Sequence, residues 1–549
     1  MTETLTIHVM GKKMDVAKGT TLYDLSKRYR KEFKYPIIIA KVNGIYKELF
    51  QPIENNWDIE FLDTKNRMAN RAYLNGLTLL TIYAAHSLWG SKANIEVMHS
   101  IDKGIYIETS FSLTQDKVEK LKEKMHQLVE MDLKFVKYNV NKREAMNYFE
   151  KRKDFSKVGL LNYNTNNYIT LYRLENEYNY FFSKMPCTTG CLKDFDLVYL
   201  NDHGFVLMYQ TIYLDGISKY VHHPEMFKVF SENKDWVELM KINNSSSLNR
   251  MISSGKIGDI IRIDETLQSN RLLKIARDIY SQKDKIKVIL MAGPSSSGKT
   301  TTCRKLSMYL RSFGLLPREI SMDNYFVDRD KTPKDENGEY DFECLEALNL
   351  DLFNQQVKEL LEGKEVLMPT YDFISGKSSL NATLKLEENS ILLIEGIHGL
   401  NPKLLETIPN EAKYKIYLSP LTVLNIDNHN RVSTTDNRLL RRIVRDNRTR
   451  GHSVNDTLKI WSKVRNGEEK YIFPYQDEAD CIFNTAFIYE LGILKTYVEP
   501  LLYSVDHESE YYEVARRLLN MLKTVLPIPS EAIPDDSLLR EFIGGSCFE

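Results

Sequence analysis

The chain carries Gly293-Pro294-Ser295-Ser296-Ser297-Gly298-Lys299-Thr300 between an apolar run and a helix-like segment. This stretch, the phosphate loop, matches the pattern G-x-x-x-x-G-K-[ST] at every fixed position. Residues 286–292 before it are apolar, as in a buried strand, and residues 301–313 have the pattern of a helix that stops at Gly314. Strand, glycine loop and helix in this order predict a nucleotide-binding site. The alternative is a glycine-rich turn without function.

Each part of the phosphate loop has an expected role. The glycines let successive backbone N–H groups turn inward around phosphate oxygens, and the helix that starts near Thr301 adds partial positive charge. Lys299 is expected to reach the outer phosphates, and the hydroxyl of Thr300 is expected to bind Mg²⁺.

Bulk composition narrows the class of protein. The 549 residues suggest three or four domains, and 42% hydrophobic with 27% charged residues is typical of a globular chain. A net charge of −1 gives no global attraction to nucleic acid or anionic membranes. Six scattered cysteines fit a reducing compartment, and neither a signal-peptide pattern nor an apolar run of about 20 residues is present. We therefore expect a cytoplasmic protein that makes no membrane contact.

Two carboxylates follow strand-like segments after the phosphate loop. Residues 286–510 alternate between strand and helix patterns, which predicts an α/β domain with a parallel sheet. Asp323 follows the run 319–322, and Glu395 follows the run 391–394. Ligands of open α/β sheets bind at the carboxyl ends of the strands, so these carboxylates are candidates for Mg²⁺ binding and for a catalytic base.

A cluster of arginines lies in the segment 436–451. Its members recur with spacings of three, four and seven: Arg438, Arg441, Arg442 and Arg445. This spacing places them on one face of a helix, with Arg450 close by and Gly451 suited to a C-terminal cap. Guanidinium groups stabilise charge on a transferring phosphoryl group, so the segment predicts a phosphate-binding lid. A solvated basic helix or an RNA-facing patch are the alternatives.

Taken together, these motifs resemble the uridine kinase/phosphoribulokinase family of P-loop kinases. The segments that match after the phosphate loop are Asp323-Asn324-Tyr325-Phe326, Tyr340-Asp341-Phe342-Glu343, Pro369-Thr370-Tyr371-Asp372-Phe373, Glu395-Gly396-Ile397 and the lid from Arg438 to Asp446. The resemblance implies an ATP- and Mg²⁺-dependent phosphotransferase that acts on the hydroxyl of a small acceptor.

The resemblance also implies roles on the donor side. Residues 293–301 would bind ATP, with Lys299 on its β and γ phosphates. Asp323 would accept the proton of the acceptor hydroxyl, and Arg445 and Arg450 would bind ATP phosphates. The residues implied to hold Mg²⁺ are Thr300, Glu395 and Asp323.

On the acceptor side, the implied residues are Phe342, Glu343, Tyr371, Phe373 and Arg442. The sequence departs from the family where the pyrimidine is contacted: Gly376 replaces a histidine and His452 an arginine. Glu343 also replaces an aspartate, and Phe326 a tyrosine. A site built to hydrogen-bond its substrate discriminates through such groups. The 5′-hydroxyl of a nucleoside is the expected acceptor, while purine nucleosides and non-nucleoside alcohols stay open.

The first residues resemble parts of threonyl-tRNA synthetases. Residues 1–64 have the pattern of a small β-grasp unit and resemble a TGS domain through the segments 18–21, 40–44 and 52–53. Residues 70–215 resemble the editing domain of those enzymes.

The family's editing site has four metal ligands, and this chain keeps one of them. His86 matches a histidine of the H-x-x-x-H pair, and Ile82 occupies the other position. One ligand of four cannot hold a metal, so we expect a degenerate α+β domain without editing activity. The alternative is a new metal site of Cys187 and Cys191 with His86 or His203.

The expected architecture is therefore multidomain. Residues 216–285 would form a helical connector, with a loop at Ser245-Ser246-Ser247, and residues 511–549 a helix and a tail. The predicted regions are a TGS-like β-grasp unit (1–64), a degenerate editing-like α+β domain (70–215), the connector (216–285), an α/β P-loop kinase domain (286–510) and the tail (511–549).

A second function class stays open at this point. A nucleotide-sensing regulatory protein would use the phosphate loop as a sensor and bind RNA through residues 1–215. The synthetase-like N-terminal half favours this alternative, whereas the near-neutral charge and the full set of carboxylates favour a nucleoside kinase. A homo-oligomer and the choice between ATP and GTP also stay open.

Overall fold

The computed structural model of the chain describes residues 3–336, 338–373, 375–422 and 424–548. The outermost residues of the first and last predicted regions, 1–2 and 549, lie outside these ranges. Within the described part, no helix has both the length and the apolar character needed to cross a bilayer.

The N-terminal residues form a mixed sheet packed against a helix. The elements are β1 (Thr4–Val9), β2 (Lys12–Ala17), α1 (Leu22–Tyr29), β3 (Ile37–Val42), β4 (Ile45–Glu48) and β5 (Asp58–Asp63). The strand order is β2-β1-β5-β3-β4, with β1 and β5 parallel. Thr21 caps α1, because its hydroxyl accepts a hydrogen bond from the backbone N–H of Asp24. The likeness to a TGS domain stays a prediction.

The next region combines antiparallel sheets with helices. Its elements are α2 (Arg67–Trp89), β6 (Ile95–Ile101), β7 (Gly104–Thr109), α3 (Gln115–Glu130), β8 (Phe135–Asn141), α4 (Lys142–Lys151), α5 (Phe155–Asn162), β9 (Tyr168–Leu174), β10 (Glu177–Asn179), β11 (Phe195–Asn201) and β12 (Gly204–Tyr209). The sheet orders are β10-β9-β8 and β11-β12-β7-β6. Helix α2 is buried on several faces, which fits the mostly apolar sequence of its C-terminal half. The likeness to an editing domain also stays a prediction.

Three helices connect this region to the C-terminal part: α6 (Pro224–Met240), α7 (Ser245–Ser253) and α8 (Ile257–Ser281). The predicted loop at residues 245–247 is wrong, because these serines form the first turn of α7. Asn244 caps that turn: its side chain accepts from the N–H of Ser247, whose hydroxyl accepts from the N–H of Asn244. Leu248 is fully buried and anchors the helix.

The C-terminal part contains the predicted parallel sheet. Its elements are β13 (Val288–Ala292), α9 (Lys299–Ser312), β14 (Leu316–Ser321), α10 (Leu350–Leu361), β15 (Val366–Asp372), β16 (Lys377–Leu384), β17 (Ser390–Glu395), β18 (Lys413–Ser419), α11 (Thr434–Arg450), α12 (Val454–Tyr471), β19 (Cys481–Asn484), α13 (Glu490–Tyr503), α14 (Tyr512–Leu522) and α15 (Arg540–Ile543). The sheet order is β14-β17-β13-β18-β19, and each neighbouring pair is parallel. The α/β prediction for this part is confirmed.

The register of the parallel sheet brings the candidate residues to one edge. Glu395 is the register partner of Met291 on one side and of Ser321 on the other. The phosphate loop leaves β13 at this level, and Asp323 follows β14 within the same turn of chain. The carboxyl ends of three adjacent strands therefore meet, as expected for a ligand site in an open α/β sheet.

Candidate active site

The phosphate loop joins β13 to the first turn of α9, and its glycines are required by the backbone. Gly298 has a φ of +87°, a left-handed conformation that glycine adopts without steric cost. A Cβ atom at Gly293 would lie 2.3 Å from the carbonyl oxygen of Leu418 on the neighbouring strand β18. The loop can pass this close to the sheet only with glycine at that position.

The side chain of Lys299 folds over the loop. Its Nζ donates hydrogen bonds to the carbonyl oxygens of Gly293, at 3.0 Å, and Pro294, at 3.3 Å. The hydroxyl of Thr485 donates to the carbonyl oxygen of Ser297, at 2.6 Å, from the opposite side. These bonds connect the loop to the side chain of Lys299 and to the segment that follows β19.

Two carboxylates lie beside Lys299. Burial raises the pKa of both Asp323 and Glu395 above the ordinary values; the charge of Asp323 adds to the rise at Glu395, and Lys299 opposes it at both residues. Ser321 donates a hydrogen bond to Glu395, at 2.8 Å. The side chain of Asp323 is accessible to solvent, although protein atoms surround its carboxylate. Thr300 is exposed at the start of α9. The structure thus brings together the predicted base and the predicted metal ligands.

Two of the four lid arginines are buried structural groups. Arg438 donates from Nη1 to Glu468 of α12, at 3.0 Å, and from Nε to the carbonyl oxygen of Ser295, at 2.9 Å. Arg441 donates to Glu490 of α13, at 2.8 Å. The guanidinium groups of both are almost fully buried and are compensated by these carboxylates. They fix α11 against the phosphate loop, so the four arginines do not share one role.

The remaining lid arginines gather around Asp446. Arg445 donates to its carboxylate at 2.7 Å, Arg442 at 3.1 Å, and Arg450 lies 3.6 Å from it. The positive charges of Arg450 and Arg445 lower the pKa of Asp323 against the opposing effect of burial. These two arginines therefore lie near Asp323.

An aromatic cluster, the acceptor floor, forms around Phe326. The ring centroid of Phe326 lies 5.5 Å from that of Tyr371 and 6.1 Å from those of Phe342 and Phe373. Phe342 and Phe373 are 36% and 59% exposed. The hydroxyl of Tyr371 is buried and has no hydrogen-bond partner among the described residues. The floor thus offers exposed ring faces and one unsatisfied polar group.

Glu343 connects the acceptor floor with the lid. Burial and the negative charge of Glu468 raise the pKa of Glu343 to about 7, while Arg442 lowers it. Gly467 of α12 makes room for Glu343, because a Cβ atom there would lie 2.4 Å from the Glu343 Cβ. Arg442 in turn donates to the hydroxyl of Ser295 in the phosphate loop, at 2.7 Å.

Gly376 and His452 are two of the positions that depart from the uridine kinase pattern. Gly376 has a φ of +70°, and a Cβ atom would lie 2.8 Å from Nε of Arg329. Arg329 also donates to the carbonyl oxygen of Phe373, at 2.6 Å. His452 has a buried Nδ1 without a hydrogen-bond partner among the described residues. Arg329 thus fills the space beside Gly376, and no motif in the sequence singled it out.

Residues 288–488 match the model of the phosphoribulokinase/uridine kinase family. A uridine kinase from Borrelia duttonii is 32% identical over 228 residues, which cover 39% of this chain and 97% of that relative. A uridine kinase from Staphylococcus aureus is 30% identical over 196 residues, which cover 36% of this chain and 86% of the relative. The chain belongs to the phosphoribulokinase/uridine kinase family.

The family assignment rests on these sequence relatives. A solved structure from Bacillus stearothermophilus, described as a "Possible Uridine Kinase", is 19% identical, with a TM-score of 0.25, and covers 38% of this chain and 100% of that one. The family match begins at residue 288, so the N-terminal regions lie outside it. The comparisons give no support to the RNA-binding alternative.

The donor set of this family member fits Mg²⁺. Asp323 and Glu395 are two carboxylates close enough for one to raise the pKa of the other, and a divalent cation would relieve that repulsion. Mg²⁺ is usually held by one or two carboxylates together with waters and substrate phosphates rather than by a closed protein cage. The hydroxyl of Thr300 completes the set that the sequence predicted.

One contact at this kinase site comes from the C-terminal tail, and sequence reasoning missed it. The carboxylate of Glu541 accepts a hydrogen bond from the backbone N–H of Thr301, at 3.1 Å. Arg448 of the lid donates to the carbonyl oxygen of Glu541, at 3.1 Å, and Asp536 pairs with Lys305 of α9, at 2.9 Å. A carboxylate therefore occupies the N-terminus of the helix that follows the phosphate loop.

The alternative metal site in the N-terminal half is not found. His86 bonds Glu177 through Nδ1, at 2.8 Å, and the thiol of Cys191 donates to the carbonyl oxygen of Thr188. Burial raises the pKa of Cys187 to about 12, which disfavours the thiolate that a metal requires. Among the described residues, no three His, Cys, Asp or Glu side chains are grouped to hold a metal.

Proposed function

We propose that this kinase transfers the γ-phosphoryl group of ATP to the hydroxyl of a small acceptor, with the 5′-hydroxyl of a nucleoside as the favoured acceptor. The observation that carries the proposal is the meeting of Lys299, Asp323 and Glu395 at the carboxyl edge of the sheet, next to the acceptor floor. The curated uridine kinases among the relatives support a nucleoside acceptor.

On the donor side, the chain's own groups bind and orient the triphosphate. Lys299 exchanges its bonds to the loop carbonyls for the β and γ phosphates, and Arg445 and Arg450 offset the charge of the transferring group. Thr300, Glu395 and Asp323 would hold Mg²⁺, which would supply positive charge that offsets part of the charge of the phosphates.

On the acceptor side, Asp323 accepts the proton of the attacking hydroxyl. The nearby charges of Lys299, Arg450 and Arg445, which lower its pKa against burial, support this role. Glu343 and the unsatisfied hydroxyl of Tyr371 bind acceptor hydroxyls, and the exposed rings of Phe342 and Phe373 pack on the base. Catalysis of this kind depends mainly on positioning and charge stabilisation.

The test is ADP release by the full chain with ATP and Mg²⁺ against a panel of purine nucleosides, pyrimidine nucleosides and small alcohols. We expect one nucleoside to stimulate ADP release. Asp323→Asn should reduce that turnover by about 10²- to 10⁴-fold, the usual contribution of a general base, with the Kd of ATP near that of the wild type.

Asp330→Asn is the matched control, because Asp330 is an exposed carboxylate on the segment that follows Asp323. It should turn over at the wild-type rate. An Asp323→Asn variant with wild-type turnover would disprove the assigned base, and ATP binding without stimulation by any acceptor would disprove the kinase activity.

For the N-terminal half, we propose the TGS-like and degenerate editing-like assignments on the residues quoted above. The order β2-β1-β5-β3-β4 with parallel β1 and β5 supports a β-grasp unit in residues 3–64. A solved structure of residues 1–215 would test both assignments, and a different fold in either region would overturn the corresponding one.

A further inference from the structure

A large concavity of this protein lies away from the proposed phosphoryl-transfer site. A cavity of about 960 Å³ opens between α2 and β6–β7 of the N-terminal half and α11, α12 and α14 of the kinase part. Of the described residues that line it, none is Lys299, Asp323 or Glu395. Its volume is that of a pocket for a small organic ligand.

The cavity wall is strongly basic. Among the described residues that line it, eight are Lys or Arg and four are Asp or Glu. This excess stands out in a chain whose net charge is −1. The remaining wall mixes polar and apolar side chains, and the apolar ones include Leu74 from α2, and Met226 and Phe230 from α6. Basic and apolar side chains within one concavity suit an anion that carries an organic group.

Two cavity arginines have no partner among the described residues. The side chains of Arg67 and Arg431 make no hydrogen bond or ion pair with any described residue, although each is only partly exposed. Burial lowers the pKa of both, and the positive charge of Arg71 contributes to the lowering. The desolvation of an unpaired guanidinium is costly, so an anionic ligand here would be stabilising.

Neutral donors are also unsatisfied in the same wall. The hydroxyls of Ser183 and Thr211 are buried and lack a hydrogen-bond partner among the described residues. Buried polar groups are rarely left in this state without a ligand or an ordered water. Guanidinium and hydroxyl donors that converge on one space are the usual composition of a phosphate-binding site.

We propose that this cavity binds a phosphorylated small molecule of about nucleotide size, with its phosphate on Arg67 and Arg431 and its organic part against the wall of α2 and α6. A long RNA backbone is a poorer fit, since the cations converge within one concavity rather than along a surface. The ligand's distinguishing chemistry is the phosphate group.

The site adjoins the lid of the kinase. Asp436 in the first turn of α11 lines the cavity and accepts paired hydrogen bonds from Arg71, at 2.9 and 3.1 Å, and from Arg517, at 2.8 and 2.9 Å. A phosphate beside Arg71 competes with Asp436 for that guanidinium. The ligand thereby acts on the helix whose other end carries Arg445 and Arg450.

The test measures binding of inorganic pyrophosphate, and separately of AMP, to the full chain by titration calorimetry without Mg²⁺. Lys299→Ala weakens the phosphate loop, so the binding that remains in this variant reports the cavity. Adding Arg67→Gln and Arg431→Gln to the Lys299→Ala variant should weaken this remaining binding at least tenfold. These arginines have no partner among the described residues, so their loss leaves no buried countercharge behind.

The matched control is Arg262→Gln with Arg516→Gln, two exposed arginines outside the cavity, which should leave the affinity unchanged.

Equal binding of pyrophosphate and AMP would assign the site to the phosphate group alone, and tighter binding of AMP would show the contribution of the apolar wall. Unchanged affinity after loss of Arg67 and Arg431, or no binding in Lys299→Ala, would overturn the proposal. Binding of tRNA that depends on the two arginines, without binding of either small probe, would overturn it in favour of RNA.

Discussion

At the residue scale, the proposed kinase site depends on carboxylates placed where burial opposes their ionisation. Glu343 shows this most directly, because burial and Glu468 raise its pKa to about 7. It therefore changes charge near neutral pH, whereas an unperturbed glutamate would be ionised throughout that range.

This shift predicts a pH-dependent affinity for the acceptor. Below pH 7 Glu343 is mostly protonated, and above it the carboxylate accepts stronger, charge-assisted hydrogen bonds from acceptor hydroxyls. The KM of the acceptor should therefore fall as pH rises from 6 to 8, and Glu343→Gln should flatten that dependence. Steady-state kinetics at constant ATP saturation measure it. Glu346→Gln, an exposed neighbour, is the control, and an unaltered pH slope in Glu343→Gln would refute the role of Glu343.

At the element scale, helical spacing predicts that the arginines of the lid helix α11 share one face, but the structure divides them into two groups. Arg438 and Arg441 are fixed by Glu468 and Glu490, which lie on two different helices far along the chain. Arg445 instead pairs with Asp446 and lies near Asp323. Helical spacing predicts that side chains share a face, but burial and the partner carboxylates decide which of them stay available to a ligand.

A second prediction concerns the effect of the tail on ATP binding at the N-terminus of α9. Glu541 places a carboxylate on the N–H of Thr301, where the phosphates of ATP are expected to bind. Removal of this charge should tighten ATP binding about two- to fivefold, the change that corresponds to about 0.3–1 kcal/mol for a charge at a helix N-terminus. Titration of ATP against Glu541→Gln measures it.

Glu531→Gln, an exposed glutamate in the same tail, should leave the Kd of ATP unchanged. If Glu541→Gln binds ATP no more tightly than the wild type, the tail carboxylate does not compete with the nucleotide.

At the scale of the whole molecule, buried charges join the N-terminal half to the kinase part. Lys157 on α5 is almost fully buried and contacts Asp154, at 3.0 Å, and Asp427 of the kinase part, at 3.2 Å. It also donates to Nδ1 of His429, at 2.6 Å. Asp427 is itself fully buried, so it depends on Lys157 for compensation.

Loss of this lysine should destabilise the whole chain. Lys157→Met leaves Asp427 buried and uncompensated, and removal of one partner of a buried pair costs about 3–5 kcal/mol in the free energy of unfolding. Urea denaturation followed by circular dichroism measures the change. Lys120→Met removes a solvent-exposed pair with Asp116 and should leave the unfolding midpoint unchanged. A Lys157→Met variant as stable as the wild type would show that the two halves are held together by other contacts.

The sequence by itself determined the parts of this protein that depend on local pattern. Glycine positions, apolar runs and helical spacing predict the phosphate loop, the strands that lead to Asp323 and to Glu395, and the lid helix with its Gly451 cap. The structure contains all of these elements. The family match over residues 288–488 followed from the same motifs.

Only the tertiary structure decided what is brought together from distant parts of the chain. Glu541 contacts the helix that follows the phosphate loop, and Arg329 lies beside Gly376. Arg67 and Arg431 line one cavity and have no partner among the described residues. No spacing rule in the sequence relates these residues to their surroundings. The physical reason is that local patterns fix the conformation of a segment, whereas the environment of a charge is set by packing between segments. Burial and the nearest countercharge, rather than residue type, therefore determine which of these charges are structural and which are free to bind a ligand.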